Sequence, residues 1–411
     1  MSDFPVVAPT LNLDFANSRQ LDPRITFRRS STGTYVDADG LIKTANIDQP
    51  RFDHYPATGQ SLGLLVEEQR TNVALHSEQF DNAAWSKSAS SVTANTSTAP
   101  DGATTADKLV NDSSTGEHSI SGSNVLFGGL ATGATFSCYA KAAELTRIAI
   151  GYPFTYAVFD LSAGVVSSTT NAYSWTFSSS IQKLSNGWYR CSVFVNTNGT
   201  AFNTQSRIWT ANSSNSVSYA GDGISGVYLW GAQLEAGSFP TSYIPTAGST
   251  VTRTADVANI TGTNFSSWYN QNGGTLFTSA RFPAIGTRGL AQIFPTSPGS
   301  STSVIGNLVV NGVDHRLRVV INSLGQAELQ SGGAYTSGSL SRIASRFAAN
   351  DFAVVANGQA AAVDTSGSIP VSDQLQLGRD FVSGYLNGTL SRLTYWPLRL
   401  PNSQLIALTK R

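Results

Sequence analysis

The sequence predicts an all-β protein built of antiparallel β-sandwiches, and three observations carry that prediction. Apolar and polar residues alternate with a period of two in several runs, the mark of half-buried strands. Asn-Gly, Asp-Gly and Ser-Ala-Gly steps separate those runs at hairpin spacing. The middle of the chain holds no helix-period segment long enough to form a parallel-sheet crossover. Composition agrees. With 411 residues two or three domains are expected, and only 13% are charged while 40% are hydrophobic and 10% aromatic. That is enough apolar material to bury cores and too much for a disordered chain.

Residues 1–72 read as a small N-terminal β module. "STGTYVDADGLIKTA" forms a hairpin about Asp39-Gly40, and a proline-marked loop leads to an apolar strand, Leu62 to Val66. The module is small for an independent core, so it is expected to dock on a neighbour.

Residues 73–257 form the central sandwich with its connector. "ATFSCYAKA" places Phe136, Cys138 and Ala140 on one face, and "GWYRCSVFVNT" does the same with Tyr189, Cys191, Val193 and Val195. Asn186-Gly187 and Ser162-Ala163-Gly164 supply turns. In "GVYLWGAQLEAGSFPTSYIPTAGSTVTRTADV", Tyr228, Trp230 and Leu234 alternate with Val227, Leu229 and Gln233, so the strand carries apolar groups on both faces and needs cover on both. The ribbon after Gly237 has two prolines and is no central strand. Its Phe239, Tyr243 and Ile244 anchor it against protein, unlike a flexible Gly/Ser linker. Arg253 and Asp256 are candidates for pinning its end, with ordinary surface charge the equal alternative.

Residues 258–411 form the last sandwich. "HRLRVVINSLGQAELQ" reads as two strands with Leu317, Val319 and Ile321 inward. Asn357-Gly358 and Asn387-Gly388 each predict a tight type I′ turn. "PNSQLIALTKR" closes the chain as a short helix with Asn402 or Ser403 at its N-cap and Lys410 and Arg411 at its negative end.

Charge excludes some functions. The 26 basic and 26 acidic residues cancel, which argues against nucleic-acid binding. The last sandwich has a surplus of five basic groups, scattered arginines that read mainly as solvated surface, with weak attraction to an acidic glycan as the alternative. "MSDFPVVAPT" has neither a basic n-region nor an apolar h-region, so no leader is expected. No stretch approaches the roughly 20 apolar residues that span a bilayer, so no membrane insertion is expected. Cys138 and Cys191 read as buried free thiols.

Reactive constellations are missing from the pattern. His54, His76, His118 and His315 lie far apart without metal-ligand spacing, and "GDG" at 221–223 falls short of a calcium loop. "GISGV" around Ser225 lacks the final glycine of a GxSxG elbow, and there is no phosphate-binding loop. Neither a metal nor a cofactor is expected. Glu67-Glu68 is the one adjacent acidic pair; on a strand the two point to opposite faces and cannot flank one glycosidic bond, so edge-of-sheet charge is the expectation. Glu235 is a candidate for ordering the loop after Ala236-Gly237.

Sugar binding needs flat aromatic faces beside amide or carboxylate groups. The candidates are Tyr173 and Trp175 in "TTNAYSWTF", Trp209 in "SRIWTANSS", and Trp268 and Tyr269 in "NFSSWYNQNGG", each weighed against plain core packing. Trp188, Trp230 and Trp396 are assigned to cores.

Four stretches together resemble modular tail or fibre-type virion proteins of tailed bacteriophages. "DPRITFRRSSTGTYVDADGLI" with "PRFDHYPATGQSLGLLVEEQRTN" is similar to their N-terminal module. "NGWYRCSV" and "YLWGAQLEAGSFPTSYIPTAGSTVTRTADV" are similar to a galactose-binding-like, carbohydrate-binding jelly roll. "YLNGTLSRLTYWPLRLPNSQLIALT" is similar to the closing strands and helix of a concanavalin A-like (laminin-G-like) sandwich. The resemblance implies a central jelly roll plus a C-terminal concanavalin A-like sandwich in a virion protein. It further implies a homotrimer in contact with other virion proteins and with host surface polysaccharide or lipopolysaccharide. It transfers no catalytic residue. The expectation is non-enzymatic adhesion, with a structural capsid or tail decoration and a polysaccharide depolymerase as the alternatives.

Overall fold

The period-two runs of the middle third become two six-stranded antiparallel sheets in a computed structural model, which describes residues 5–126, 133–283, 286–296, 303–332, 335–380 and 384–410. One sheet runs in the order Thr176–Lys183, Trp188–Asn196, Ala134–Ala142, Gly226–Ala236, Ala106–Asn111, Ser90–Ser97. The other runs Val165–Asn171, Thr155–Asp160, Arg147–Tyr152, Asn203–Ala211, Ser119–Leu126, Ser86–Ser88. Side chains alternate across a strand, so Phe136, Cys138, Cys191, Val193 and Leu229 meet Ile148, Ile150, Phe159 and Ile208 in one core. Cys138 and Cys191 are free and buried, directly opposite each other across two strands.

The strand Gly226–Ala236 departs from the simple alternation. Its pairing with Ala134–Ala142 shifts register between Ser137 and Tyr139, and Gly231 sits there at φ +62°. Such a bulge, made by a glycine in the left-handed region, inserts one residue and reverses the facing of all that follow. Leu234 therefore joins Val227 and Leu229 in the sandwich core, and Gln233 joins Tyr228 and Trp230 outside it. The outer face is covered as two apolar faces require: Trp230, Trp188 and Tyr139 pack with Ile42, Leu184 and Tyr243.

The last third forms a second sandwich from a seven-stranded and an eight-stranded sheet. The seven strands are Thr26–Arg28, Val257–Thr261, Gln374–Leu377, Arg288–Phe294, Val304–Val310, Asp314–Ile321 and Leu324–Ser331. The other sheet runs Ala362–Asp364, Asp351–Ala356, Ser341–Ala348, Gly274–Arg281, Gly388–Trp396, Ser61–Val66, Phe52–His54, with Leu11–Leu13 also on Gly388–Trp396. Four strands of the first 72 residues thus lie in the sheets of the last sandwich. Leu11, Phe27, Leu64 and Val66 share a core with Leu276, Ile305 and Leu393. The hairpin Gly33–Val36 with Ile42–Ala45 instead lies against the middle sandwich through Ile42.

Turn chemistry holds at Asn186-Gly187 and Asn357-Gly358, whose residues all have positive φ. At Asn387-Gly388 only Asn387 does; Gly388 already begins a strand paired to Val66, so no type I′ hairpin forms there. Leu317 and Val319 face inward as expected, whereas Ile321 is only half-buried. The closing helix, Asn402–Thr409, has Pro401 rather than Asn402 or Ser403 as its N-cap. The Asn402 amide oxygen is taken instead by the Arg346 guanidinium. Lys410 is the C-cap through its backbone N–H on the Ile406 carbonyl, and Arg411 lies outside the described residues. No helix among the described residues is long and apolar enough to cross a membrane.

Candidate functional site

Two clusters of side chains are built by residues far apart in the chain. The first lies where the N-terminal strands meet the connector. Arg29 follows the strand Thr26–Arg28, Arg51 precedes Phe52–His54, Glu67 follows Ser61–Val66, Arg253 ends Val251–Arg253, and Asp256 precedes Val257–Thr261. All five are buried. Asp256 takes Arg29 at 3.2 Å on one oxygen; on the other it takes Arg51 at 2.5 Å and the Glu67 backbone N–H at 2.9 Å. Glu67 accepts Arg51 at 2.8 Å and lies 3.5 Å from Arg253. Further guanidinium hydrogens go to carbonyls of Ser31, Thr34, Asn46 and Glu68, while the Nε groups of Arg51 and Arg253 are buried without a hydrogen-bond partner. Charges removed from water persist only when paired and hydrogen-bonded in this way.

Burial alone would raise the Glu67 carboxyl, but Arg253 and Arg51 outweigh it and hold it at about 2. Burial pulls the other way on Arg51, where Asp256 and Glu67 prevail and its proton is held more tightly than usual. Asp53 sits beside this network and accepts the Val36 N–H at 2.7 Å; burial pushes its carboxyl up to about 7.

The connector is held by the same groups. The Glu67 carboxylate accepts the Ser242 N–H at 2.8 Å and hydroxyl at 2.7 Å, and Asn72 donates to the carbonyls of Ala232 and Ile244. Glu235 takes the Thr241 N–H at 2.8 Å, so it does order the loop after Gly237. Arg253 and Asp256 are core groups, not surface charge. The edge-of-sheet expectation for Glu67 is corrected too: only Glu68 stays partly exposed, paired to Arg70 at 2.5 Å. The network is structural, because every carboxylate oxygen in it is already committed to a donor.

The second cluster is a partly exposed aromatic group at one end of the middle sandwich, with Phe154 and Tyr173 exposed and Trp175 and Phe202 half-buried against the sandwich core. Three connections meet there: the Pro153-Phe154 turn, residues 172–175 and residues 197–202. Tyr173 and Trp175 stack with centroids 4.4 Å apart and planes at 26°. Phe202 lies 4.9 Å from Trp175, and Phe154 meets Tyr173 edge-on at 6.3 Å. Asn171 fixes this loop by donating to the Trp175 carbonyl at 2.8 Å and accepting its N–H at 3.2 Å. Tyr173 is 44% exposed and Phe154 62%. Phe154 is held at φ +64°. Pro153 before it presets a negative φ, so the pair has the φ signs of a type II turn, whose second position normally belongs to glycine. A bulky residue in the left-handed region is a strained choice, and here it keeps a ring in solvent.

The other three sugar-binding candidates do not join this group. Trp209 is buried on the outer face of its sheet, donating to Glu117 at 3.0 Å beneath the Arg207 guanidinium. Trp268 is buried and Tyr269 half-buried, packed on Phe265 and Tyr395 in the last sandwich. Both tryptophans have protein where a sugar would have to lie. Phe154 and Phe202 were missed by sequence reasoning; a Pro-Phe step at a two-residue turn was the available signal. Among the described residues no group of three or more His, Cys, Asp or Glu could hold a metal.

No protein-family model matches the chain, and no curated protein does. Solved structures with partial likeness include the CBM40 of the Ruminococcus gnavus IT-sialidase bound to α2,3-sialyllactose. That match has 17% identity and TM-score 0.30, covering 34% of this chain and 84% of that one. Domain 4 of AbnA, an arabinanase from Geobacillus stearothermophilus in complex with arabinotriose, matches at 12% identity and TM-score 0.29, covering 42% and 82%. The K499G mutant of NanB sialidase from Streptococcus pneumoniae matches at 9% identity and TM-score 0.31, covering 36% and 26%.

Proposed function

We propose that the chain is a non-enzymatic adhesion protein that binds a glycan at the aromatic end of its middle sandwich. The observation that carries this reading is the exposed Tyr173 ring stacked on the half-buried Trp175, braced by Phe202 and Asn171. Flat rings offer area to sugar C–H groups at low entropic cost, and the adjoining asparagines and threonines supply hydrogen bonds. A non-catalytic role fits the commitment of Glu67, Asp256 and Glu235 to arginines and backbone N–H groups, which leaves none of them free to flank a glycosidic bond.

The sequence resemblance to tail and fibre-type proteins supports placing this adhesion on a bacteriophage virion, as a homotrimer in contact with other virion proteins. Several weak sites on one symmetric particle then gain avidity through effective concentration. A glycan array with multivalent display, repeated with Tyr173→Ala, tests the binding; the variant should lose at least tenfold in affinity, about 1.4 kcal/mol. Absence of any glycan binding by the unaltered chain would overturn the reading. In that case, loss of self-association in Tyr173→Ala would identify the aromatic group as a protein contact. Light scattering tests the trimer directly, and a monomer mass would remove it.

A further inference from the structure

We infer that the glycan taken at this end is an uncharged saccharide, an inference that rests on the adhesion reading above. The basis is the distribution of charge. Residues 148–159, 161–182 and 191–206 contain no Asp, Glu, Lys or Arg. Those runs include Phe154, Tyr173, Trp175 and Phe202 and all three described connections around them.

The nearest charged residues along the strands are remote or occupied. Arg207 lies five residues beyond Phe202, about 16 Å along an extended strand. It pairs with Glu117 at 3.3 Å over the Trp209 ring. Arg147 and Asp160 pair with each other at 3.1 Å at the far ends of their strands. Arg190 donates to the Thr241 carbonyl at 2.7 Å over the Tyr139 ring. Across the sheet, the Arg70–Glu68 pair stands near Gly237. That places it on the far side of the strands Trp188–Asn196 and Ala134–Ala142 from Thr176–Lys183, about 14 Å away at the usual strand spacing.

An acidic sugar needs a cation for its carboxylate or sulfate, because anion recognition relies on charge-assisted bonds, above all the arginine fork. An ionised group held against these rings finds no cation to replace the water it gives up. A neutral pyranose meets no such penalty. Its C–H face can lie on the Tyr173 ring while its hydroxyls reach Asn198 and Thr176, which are already oriented by their mutual bond at 2.8 Å.

The test immobilises two sets of polysaccharides, neutral (dextran, mannan, galactan) and anionic (polysialic acid, hyaluronan, alginate), at 50 and 500 mM NaCl. Binding is expected to the neutral set alone, changing less than about twofold with salt because no charge pair is there to screen. Tyr173→Ala should lower it at least tenfold, and Tyr173→Phe should retain it, which separates loss of the ring face from a folding defect. Binding to the anionic set that collapses in 500 mM salt would overturn the inference and leave glycan adhesion standing. Binding to neither set would overturn both.

Discussion

Replacing Asp256 with alanine leaves three buried guanidinium groups, those of Arg29, Arg51 and Arg253, facing one carboxylate. The magnitude follows from the geometry. At an effective dielectric near 20, a unit pair at 3.2 Å attracts by about 5 kcal/mol. Desolvation costs several kcal/mol per ion, so the intact pairs are worth little net. The asymmetry appears when one partner goes. Arg29 and Arg51 remain buried without their acid, the Glu67 N–H loses its acceptor, and net charge among the five groups rises from one positive to two. Breaking a buried pair this way costs about 3–5 kcal/mol.

Urea unfolding followed by tryptophan fluorescence should show that loss in the transition of the last sandwich, to which Arg29, Arg51 and Glu67 are tied by their strands. Proteolysis of the connector 237–257 should quicken in parallel, since Glu67 also holds Ser242. A double variant, Arg51→Met with Asp256→Leu, should recover much of the stability because it removes a cation and an anion together. An Asp256→Ala loss below about 1 kcal/mol with an uncut connector would refute the view that this network, rather than apolar burial alone, fixes the junction.

Phe154→Gly removes a bulky left-handed residue, worth about 1–2 kcal/mol of strain against about 0.5–1 kcal/mol of added backbone entropy. Thermal stability should therefore hold or rise slightly while neutral-glycan affinity falls, and clear destabilisation would refute the strain argument. Asp53 titrates near 7 when folded, above its ordinary 3.8. A raised acid favours the folded state while protonated, so its contribution is full below about pH 4 and lost as pH rises through 7. Asp53→Asn should flatten stability between pH 4 and 7, and an unchanged slope there would show that another group sets it.

What the sequence made legible was local. The alternations over 134–142 and 188–196 were read correctly because strand facing depends only on neighbours in the chain. The same reasoning failed beyond Gly231, where one left-handed glycine reversed the facing of Leu234 and Gln233. A glycine inside a strand pattern is itself the signal for such a bulge. Sheet membership of the first 72 residues was not legible, because Leu11–Leu13 pairs with residues 393–395 through three-residue contacts that leave no pattern in either segment.

The site divides along the same line. Tyr173 and Trp175 are legible as a pair because one loop carries both rings, whereas Phe154 and Phe202 each stand alone in sequence and join the group only when the sandwich brings three described connections to one end. The buried charges are the extreme case: Arg29 and Asp256 are 227 positions apart, and nothing local distinguishes them from surface charge. In a chain this poor in charge, though, five of its charged residues lie within one junction, while long charge-free runs surround the exposed rings. Ions and rings are thereby separated in space. The ions tie the connector to the strands of the last sandwich, and on the proposed reading an aromatic face already held in place meets its ligand with less ordering entropy left to lose.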